Sequence, residues 1–307
     1  MRLSKHDPEV LVRNLLGGGI LLKIGPFSVR VATDLPVFAR QFISSYADFP
    51  LLDAGDFFDF DVAVVRAEGV FGSSRRRVCF LTDGRRSSSE LPVEQVSPTF
   101  EWGLNWCIAS QAHQYLIIHA AVVEKDGVTV LLPAPPGSGK STLCAGLVSR
   151  GWRLLSDEMA LYDSDQNMVF GMARPVSLKG QSVEIIKQFA PCARLGDAVN
   201  TVAKGRVALM SAPSESVFRV DEGGLPAWII FPQYVPGAVA ELSRFSPAQT
   251  LVTLAEQSFN FDLHGVDGFE ALCGIVAGAR CARFSYSSLD EAISVFDDLA
   301  GSFVEYP

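Results

Sequence analysis

The chain lacks the features that mark several common protein classes. Its six cysteines (Cys79, Cys107, Cys144, Cys192, Cys273, Cys281) include no CxxC pair, and its His and Cys residues do not pair at ligand spacing, which argues against a zinc site. Scattered as they are, several in apolar surroundings, they read as buried free thiols of a reducing compartment. No apolar run approaches the ~20 residues of a membrane span; "YLIIHAAVV" at 115–123 is among the longest. The opening "MRLSKHDPEVLVRNLL" has neither the apolar core nor the small-residue cleavage site of a signal peptide. Basic residues are in deficit, 26 Lys and Arg against 34 Asp and Glu. A net charge of −8 argues against general affinity for nucleic acid or anionic membranes, local patches aside. No internal repeat or long low-complexity stretch occurs. The expectation is a cytoplasmic protein with no membrane span and no nucleic-acid partner.

What is present is an ordinary globular composition, 48% hydrophobic and 20% charged over 307 residues, enough for one large domain or two modest ones. The pattern predicts an α/β chain in two parts. In 1–98, a small α+β unit, 20–33 suits two strands around Gly25-Pro26, 57–65 and 76–82 read as strands, and 37–50 is helix-like. The polar "SSSELPVEQVSP" (87–98) suits a connection between domains. In 99–307, 99–114 reads as a helix, and 115–134 as two β-runs around Lys125-Asp126-Gly127. Later come a strand over 227–234 and helices opened by capping boxes at Ser246 with Gln249 and Ser288 with Glu291. The last helix carries an apolar stripe, Leu289, Ala292, Ile293, Phe296, Leu299, Ala300 and Phe303, which reads as core.

The chemistry-bearing stretch is Ala134-Pro135-Pro136-Gly137-Ser138-Gly139-Lys140-Ser141, a phosphate-loop pattern with alanine where glycine is usual. Gly137 and Gly139 let successive N–H groups turn toward phosphate oxygens, above the positive end of the helix that follows. Lys140 would reach the β- and γ-phosphates and the Ser141 hydroxyl would ligate Mg²⁺. Pro136, Gly137, Ser138, Gly139, Lys140, Ser141 and Thr142 are thus the expected nucleotide-binding residues. Ala134 asks for a modestly different turn, which the stiff proline pair would help to fix.

Asp157 and Glu158 lie sixteen and seventeen residues beyond Ser141, room for one helix and one return strand. Neighbours at a strand end point to opposite sides, so one can face Mg²⁺ and the other the incoming nucleophile; a solvated acidic turn is the bland alternative. His119 sits on the strand before the loop, inside "LIIHAAVV", as a candidate site residue or a satisfied core histidine; His113 reads as structural.

These residues carry a resemblance. His119, "APPGSGKST" and "GWRLLSDE" look like segments of HPr kinase/phosphorylase. More closely, "EWGLNWCIASQAHQYLIIHAAVV", "LLPAPPGSGKSTLCAGLVSRGWRLLSDE" and "RPVSLKGQS" resemble the HPr-kinase-related kinase A family. The wider superfamily includes phosphoenolpyruvate carboxykinase. The resemblance implies an HPr-kinase-like phosphate-loop core with a mixed β-sheet and flanking helices. It implies an ATP- and Mg²⁺-dependent kinase acting on a hydroxyl, a serine above all, of a protein or peptide. It implies Asp157 as general base, His119 supporting it, Lys140 on the phosphates, and Glu158 with Ser141 at the metal. HPr kinase carries a downstream E-x-R-G motif; this chain reads Arg174-Pro175-Val176-Ser177-Leu178-Lys179 instead, so Arg174 and Lys179 are candidates for phosphate or an acidic substrate, or else flank a surface strand. Lys204 and Arg206 belong to a basic loop that either closes on a ligand or is solvated. Arg75–Arg77 with Arg85-Arg86 read as a solvated face or a docking patch for an acidic partner. Relatives imply a PqqD-like peptide-binding protein and a nucleotidyltransferase-like protein as partners, and HPr kinase is hexameric, so a homo-oligomer is an expectation of the resemblance alone. The alternatives are an ATP-binding sensing or assembly module and a small-molecule kinase.

Overall fold

The computed structural model describes residues 1–67, 77–202 and 204–303. It is a mixed α/β structure built on four sheets. In the first, strand Phe27–Thr33 alternates buried and half-buried residues, so Phe27, Val29 and Val31 face a core while Arg30 faces out to Asp61. Its neighbours are Ile20–Ile24 on one side and Phe60–Arg66, then Arg77–Thr82, on the other. Helix Val96–Gln111 packs on the last two of these strands, and one apolar core runs on from them into the rest of the chain. The expected division at 98/99 falls in the first turn of that helix. The segment expected as a connection is not free: Leu91 and Pro92 pair with Val78 and Arg77, and the helix starts four residues later.

The central sheet holds six strands in the order Arg153–Ser156, Ala120–Lys125, Val128–Pro133, Pro226–Tyr234, Arg280–Tyr286, Glu241–Arg244. The hairpin expected around Asp126 forms between Ala120–Lys125 and Val128–Pro133, and Asp126 takes the left-handed φ of +52° that such a turn demands. The β-run upstream of it is interrupted, however. Leu116–Ile118 belongs to a separate three-stranded sheet, and His119 occupies the bend between the two strands. The His119 N–H donates to Gln257 O at 2.7 Å, which pins that bend to the segment after helix Pro247–Glu256. A fourth sheet, Val176–Lys179, Gly205–Met210 and Val199–Thr201, lies beside the loop helix Lys140–Ser149.

Both serine caps form: the N–H of Gln249 donates to Ser246 Oγ at 3.3 Å and that of Glu291 to Ser288 Oγ at 3.4 Å, without the reciprocal bond from the serine N–H that would complete a capping box. In the final helix, Leu289–Phe303, the residues Ala292, Ile293, Phe296 and Ala300 are buried as the stripe predicts; the Phe303 side chain lies outside the described residues. Two expectations are corrected. His113 is exposed in the turn after its helix, which ends at Gln111. Only Cys79, Cys107 and Cys144 are fully buried, while Cys192 is exposed. Arg75 and Arg76 lie outside the described residues, and Arg77 and Arg86 both pair with Glu90, at 3.4 and 3.0 Å. Among the described residues no helix is long and apolar enough to cross a membrane.

Candidate active site

Strand direction assembles the site. Val128–Pro133, Pro226–Tyr234 and Arg280–Tyr286 run parallel. Arg153–Ser156 is antiparallel to Ala120–Lys125, itself antiparallel to Val128–Pro133, so it points the same way. Four carboxyl ends therefore meet at one edge, where open α/β sheets bind ligands. The phosphate loop leaves the first of these ends, and Asp157 and Glu158 leave the fourth. Val122 faces both Leu131 and Ser156, so the carboxylates emerge level with the end of the loop strand.

The loop itself is braced from the two strands beyond it. Gly137 and Gly139 take left-handed φ values of +89° and +94°, open to glycine at no steric cost. A Cβ on Gly139 would stand 2.5 Å from the Tyr286 hydroxyl oxygen. That hydroxyl donates to Gly139 O at 3.0 Å, and the Tyr234 N–H donates to Ser138 O at 2.8 Å. Ala134 is buried and has no left-handed φ, so alanine there needs no altered turn, contrary to the expectation from sequence.

On the loop and the segments after it, four polar atoms are buried without hydrogen-bond partners: Ser138 Oγ, Lys140 Nζ, Asp157 Oδ1 and Ser177 Oγ. Lys140 is 6% exposed and Asp157 5%. Burial pulls the Lys140 ammonium down to about 8, against the attraction of Asp157 and Glu158. Burial, with the Glu158 charge beside it, raises the Asp157 carboxyl above the usual range, while the Ser177 N–H donates to its Oδ2 at 3.1 Å. Glu158 behaves oppositely. Burial alone would raise it, but Lys179, Lys204, Lys140 and Arg174 together hold it below its ordinary value. Its Oε1 lies 3.5 Å from Lys179 Nζ, and its Oε2 accepts from Asn105 Nδ2. The two carboxylates thus differ in environment, Asp157 wholly buried with one oxygen unpartnered and Glu158 among cations.

The remaining candidates divide. Lys204 is an exposed residue yet reaches the site: its ammonium stands 4.8 Å from the centre of the Trp102 ring, where partial desolvation lowers its pKa against the pull of Glu158. Thr142 Oγ1 is 2.6 Å from Ser182 Oγ, engaged with the neighbouring helix. Arg206 is exposed and pairs with Glu184 at 2.9 Å. Arg174, expected toward phosphate or substrate, is instead buried and committed to Glu101 and Asn105, because the irregular segment leading into the strand Val176–Lys179 lays it against the helix Val96–Gln111. His119 sits near Lys140, Glu158 and Lys179, and burial, reinforced by Lys140, takes its imidazole down to about 4. Asn105, Glu101, Ser177, Tyr234 and Tyr286 escaped the reading of the sequence. Glu101 and Asn105 could have been found: they are the polar residues in "EWGLNW", four apart on one helix face in the apolar middle of that helix.

Residues 104–175 match the family model described as "SynChlorMet cassette protein ScmC". The chain is similar to HPr kinase/phosphorylase of Lactobacillus acidophilus, 44% identical over 57 residues, which cover 18% of this chain and 18% of that protein. The structure of the Hpr(Ser) kinase/phosphatase from Coxiella burnetii aligns with a TM-score of 0.29 and 12% identity, over 62% of this chain and 97% of that one. The sequence match thus spans less than a fifth of the curated relative. The family match takes in the loop, both carboxylates, Asn105 and Arg174.

Proposed function

We propose that this chain is an ATP- and Mg²⁺-dependent phosphotransferase that moves the γ-phosphoryl group to a hydroxyl, a serine for preference, of a protein or peptide. The observation that carries this reading is a braced phosphate loop whose Ser138 Oγ and Lys140 Nζ are buried and unpartnered, with the unpartnered Asp157 Oδ1 on a carboxylate close enough to Lys140 for their charges to interact. The local similarity to HPr kinase/phosphorylase supports it. The residues fit the ligands. Loop N–H groups, Ser138 Oγ and Lys140 Nζ suit phosphate oxygens, and the oxygens of Ser141 and Glu158 suit a hard cation. Bound there, Mg²⁺ would neutralise charge on the phosphates.

The chain's own groups do the rest. Lys140, confined by burial, presents its ammonium at a fixed point, and positioning of this kind supplies most of the rate in phosphoryl transfer. Asp157 Oδ1 accepts the proton of the acceptor hydroxyl as its oxygen bonds to phosphorus and the bond to the ADP oxygen breaks. A carboxylate with a raised pKa is the better proton acceptor when ionised. His119 stays neutral at pH 7 and serves as a wall of the site beside Lys140 and Glu158. Lys179 and Lys204, flanking Glu158, are the residues that would meet an acidic acceptor or the transferred phosphate. The description of the matched family as a cassette protein supports action beside other proteins, among which a PqqD-like peptide-binding protein and a nucleotidyltransferase-like protein are the expected partners.

The test is transfer of label from γ-labelled ATP with Mg²⁺ to candidate partner proteins. Asp157→Asn is expected to bind nucleotide as the unaltered chain does and to lose transfer by roughly 10²–10⁴-fold. Transfer at the unaltered rate would remove Asp157 from the role of base. Nucleotide-dependent association without any labelled acceptor would instead favour a sensing or assembly module.

A further inference from the structure

A buried polar chain runs from the N-terminal helices to the candidate metal carboxylate. It begins at Tyr46, just past helix Pro36–Ser45, whose hydroxyl donates to Glu101 Oε1 at 2.8 Å. The other oxygen, Glu101 Oε2, accepts from Arg174 Nε at 3.1 Å and from Arg174 Nη2. Arg174 Nη2 also donates to the Glu101 backbone carbonyl at 2.8 Å, and Nη1 donates to Asn105 Oδ1 at 2.6 Å. With its oxygen held by Arg174, the Asn105 amide turns Nδ2 toward Glu158 Oε2.

Each link in this chain uses its neighbour's geometry. All three guanidinium nitrogens are engaged, in three directions that a lysine could not serve. Both Glu101 oxygens are satisfied, and the pair is almost wholly out of water, with side chains 8% exposed on each partner. Burying such a pair gains little stability over apolar residues of similar size. What it does supply is a fixed direction for Asn105, and through it for Glu158. Without Asn105, the contact left to hold the Glu158 carboxylate in direction is the looser ammonium of Lys179, 3.5 Å from Oε1, the other cations acting on its charge from further away.

We propose that Tyr46, Glu101, Arg174 and Asn105 form a strut that holds Glu158 in the orientation a divalent cation requires, with Asn105 and Arg174 as positioning residues. This rests on the reading of Glu158 as a metal-holding carboxylate. Partners that orient a metal-binding carboxylate commonly matter 10–100-fold to metal affinity or activity.

The test uses Mn²⁺ as the probe, titrated into the full chain with ADP present and followed by the paramagnetic signal of the free ion. Asn105→Ala is expected to weaken Mn²⁺ binding by roughly 10–100-fold, with metal-free ADP affinity close to that of the unaltered chain and a lowered thermal midpoint from the Arg174 nitrogen left without its acceptor. Arg174→Lys, which keeps the charge but not the fork, is expected to weaken Mn²⁺ in the same direction, and Tyr46→Phe by a few-fold. Glu158→Gln supplies the reference loss. Should Asn105→Ala not fold, Asn105→Leu, near in shape and without a donor, carries the same expectation. Mn²⁺ affinity within twofold of the unaltered chain in a folded Asn105 variant would overturn the strut while leaving Glu158 at the metal. Mn²⁺ binding untouched by Glu158→Gln would overturn the metal reading, and the strut with it.

Discussion

Lys140→Met is expected to make the ligand-free protein more stable while removing its capacity to bind nucleotide phosphate. The lysine is buried, its ammonium has no hydrogen-bond partner, and burial takes it from the ordinary 10.5 to about 8. A depression of that size corresponds to on the order of 3 kcal/mol at neutral pH, at 1.36 kcal/mol per unit. Methionine keeps the length and drops the charge. The sign in pH follows from proton counting. Below pH 8 the lysine is protonated folded and unfolded, and the penalty is complete. Between 8 and 10.5 the unfolded chain holds the proton and the folded one has released it, so stability of the unaltered protein rises with pH. Urea unfolding of both proteins at pH 7 and 9.5 should show the methionine variant ahead by up to ~3 kcal/mol at the lower pH, and by roughly half of that at the higher. A variant less stable at pH 7, or a gap indifferent to pH, would refute the account of Lys140 as a desolvated cation held ready for phosphate.

Two further outcomes follow from other parts of the site. The His119 imidazole lies at about 4 in the folded chain against an ordinary 6.5, so the unfolded state binds more protons in that window and stability falls as pH drops through it. His119→Gln should flatten the dependence of the urea midpoint on pH between 7 and 4.5, and an unchanged slope would assign the acid sensitivity to other groups. Gly171→Ala places a Cβ 2.0 Å from the carbonyl oxygen of Leu155, a backbone atom that cannot swing aside. A loss of about 3 kcal/mol or more in thermal or urea unfolding is expected, and an unaltered melting midpoint would mean that the two segments separate freely.

The sequence made the loop and the carboxylates legible because both are local. Glycine at left-handed positions, a lysine opening a helix, and an acid pair one helix and one strand later are all written in short range. The hairpin at Asp126 and the two serine caps were legible for the same reason. The interruption at His119 was not, since "LIIHAAVV" has no breaker residue; the bend is imposed by Gln257, far along the chain, whose carbonyl takes the His119 N–H. Arg174 was misjudged because an arginine beside a strand reads as solvated or ligand-facing unless its carboxylate is known, and Glu101 lies on a helix more than seventy residues away. Tyr234 and Tyr286 carry no local mark of their role either, as both end ordinary β-runs. What periodicity and motif could not supply was pairing at long range, and that is what sets the electrostatics of the site.

The tyrosine brace has a consequence for the order in which the protein acquires its capacity to act. Chain leaving the ribosome contains the complete loop by Ser141, yet the residues that hold Ser138 and Gly139 in place are Tyr234 and Tyr286. A nascent chain that ends before the strand Arg280–Tyr286 carries the motif without its scaffold on that side. The braced form of the loop therefore arrives well after the motif itself, once the strand Arg280–Tyr286 has been made and has joined the sheet.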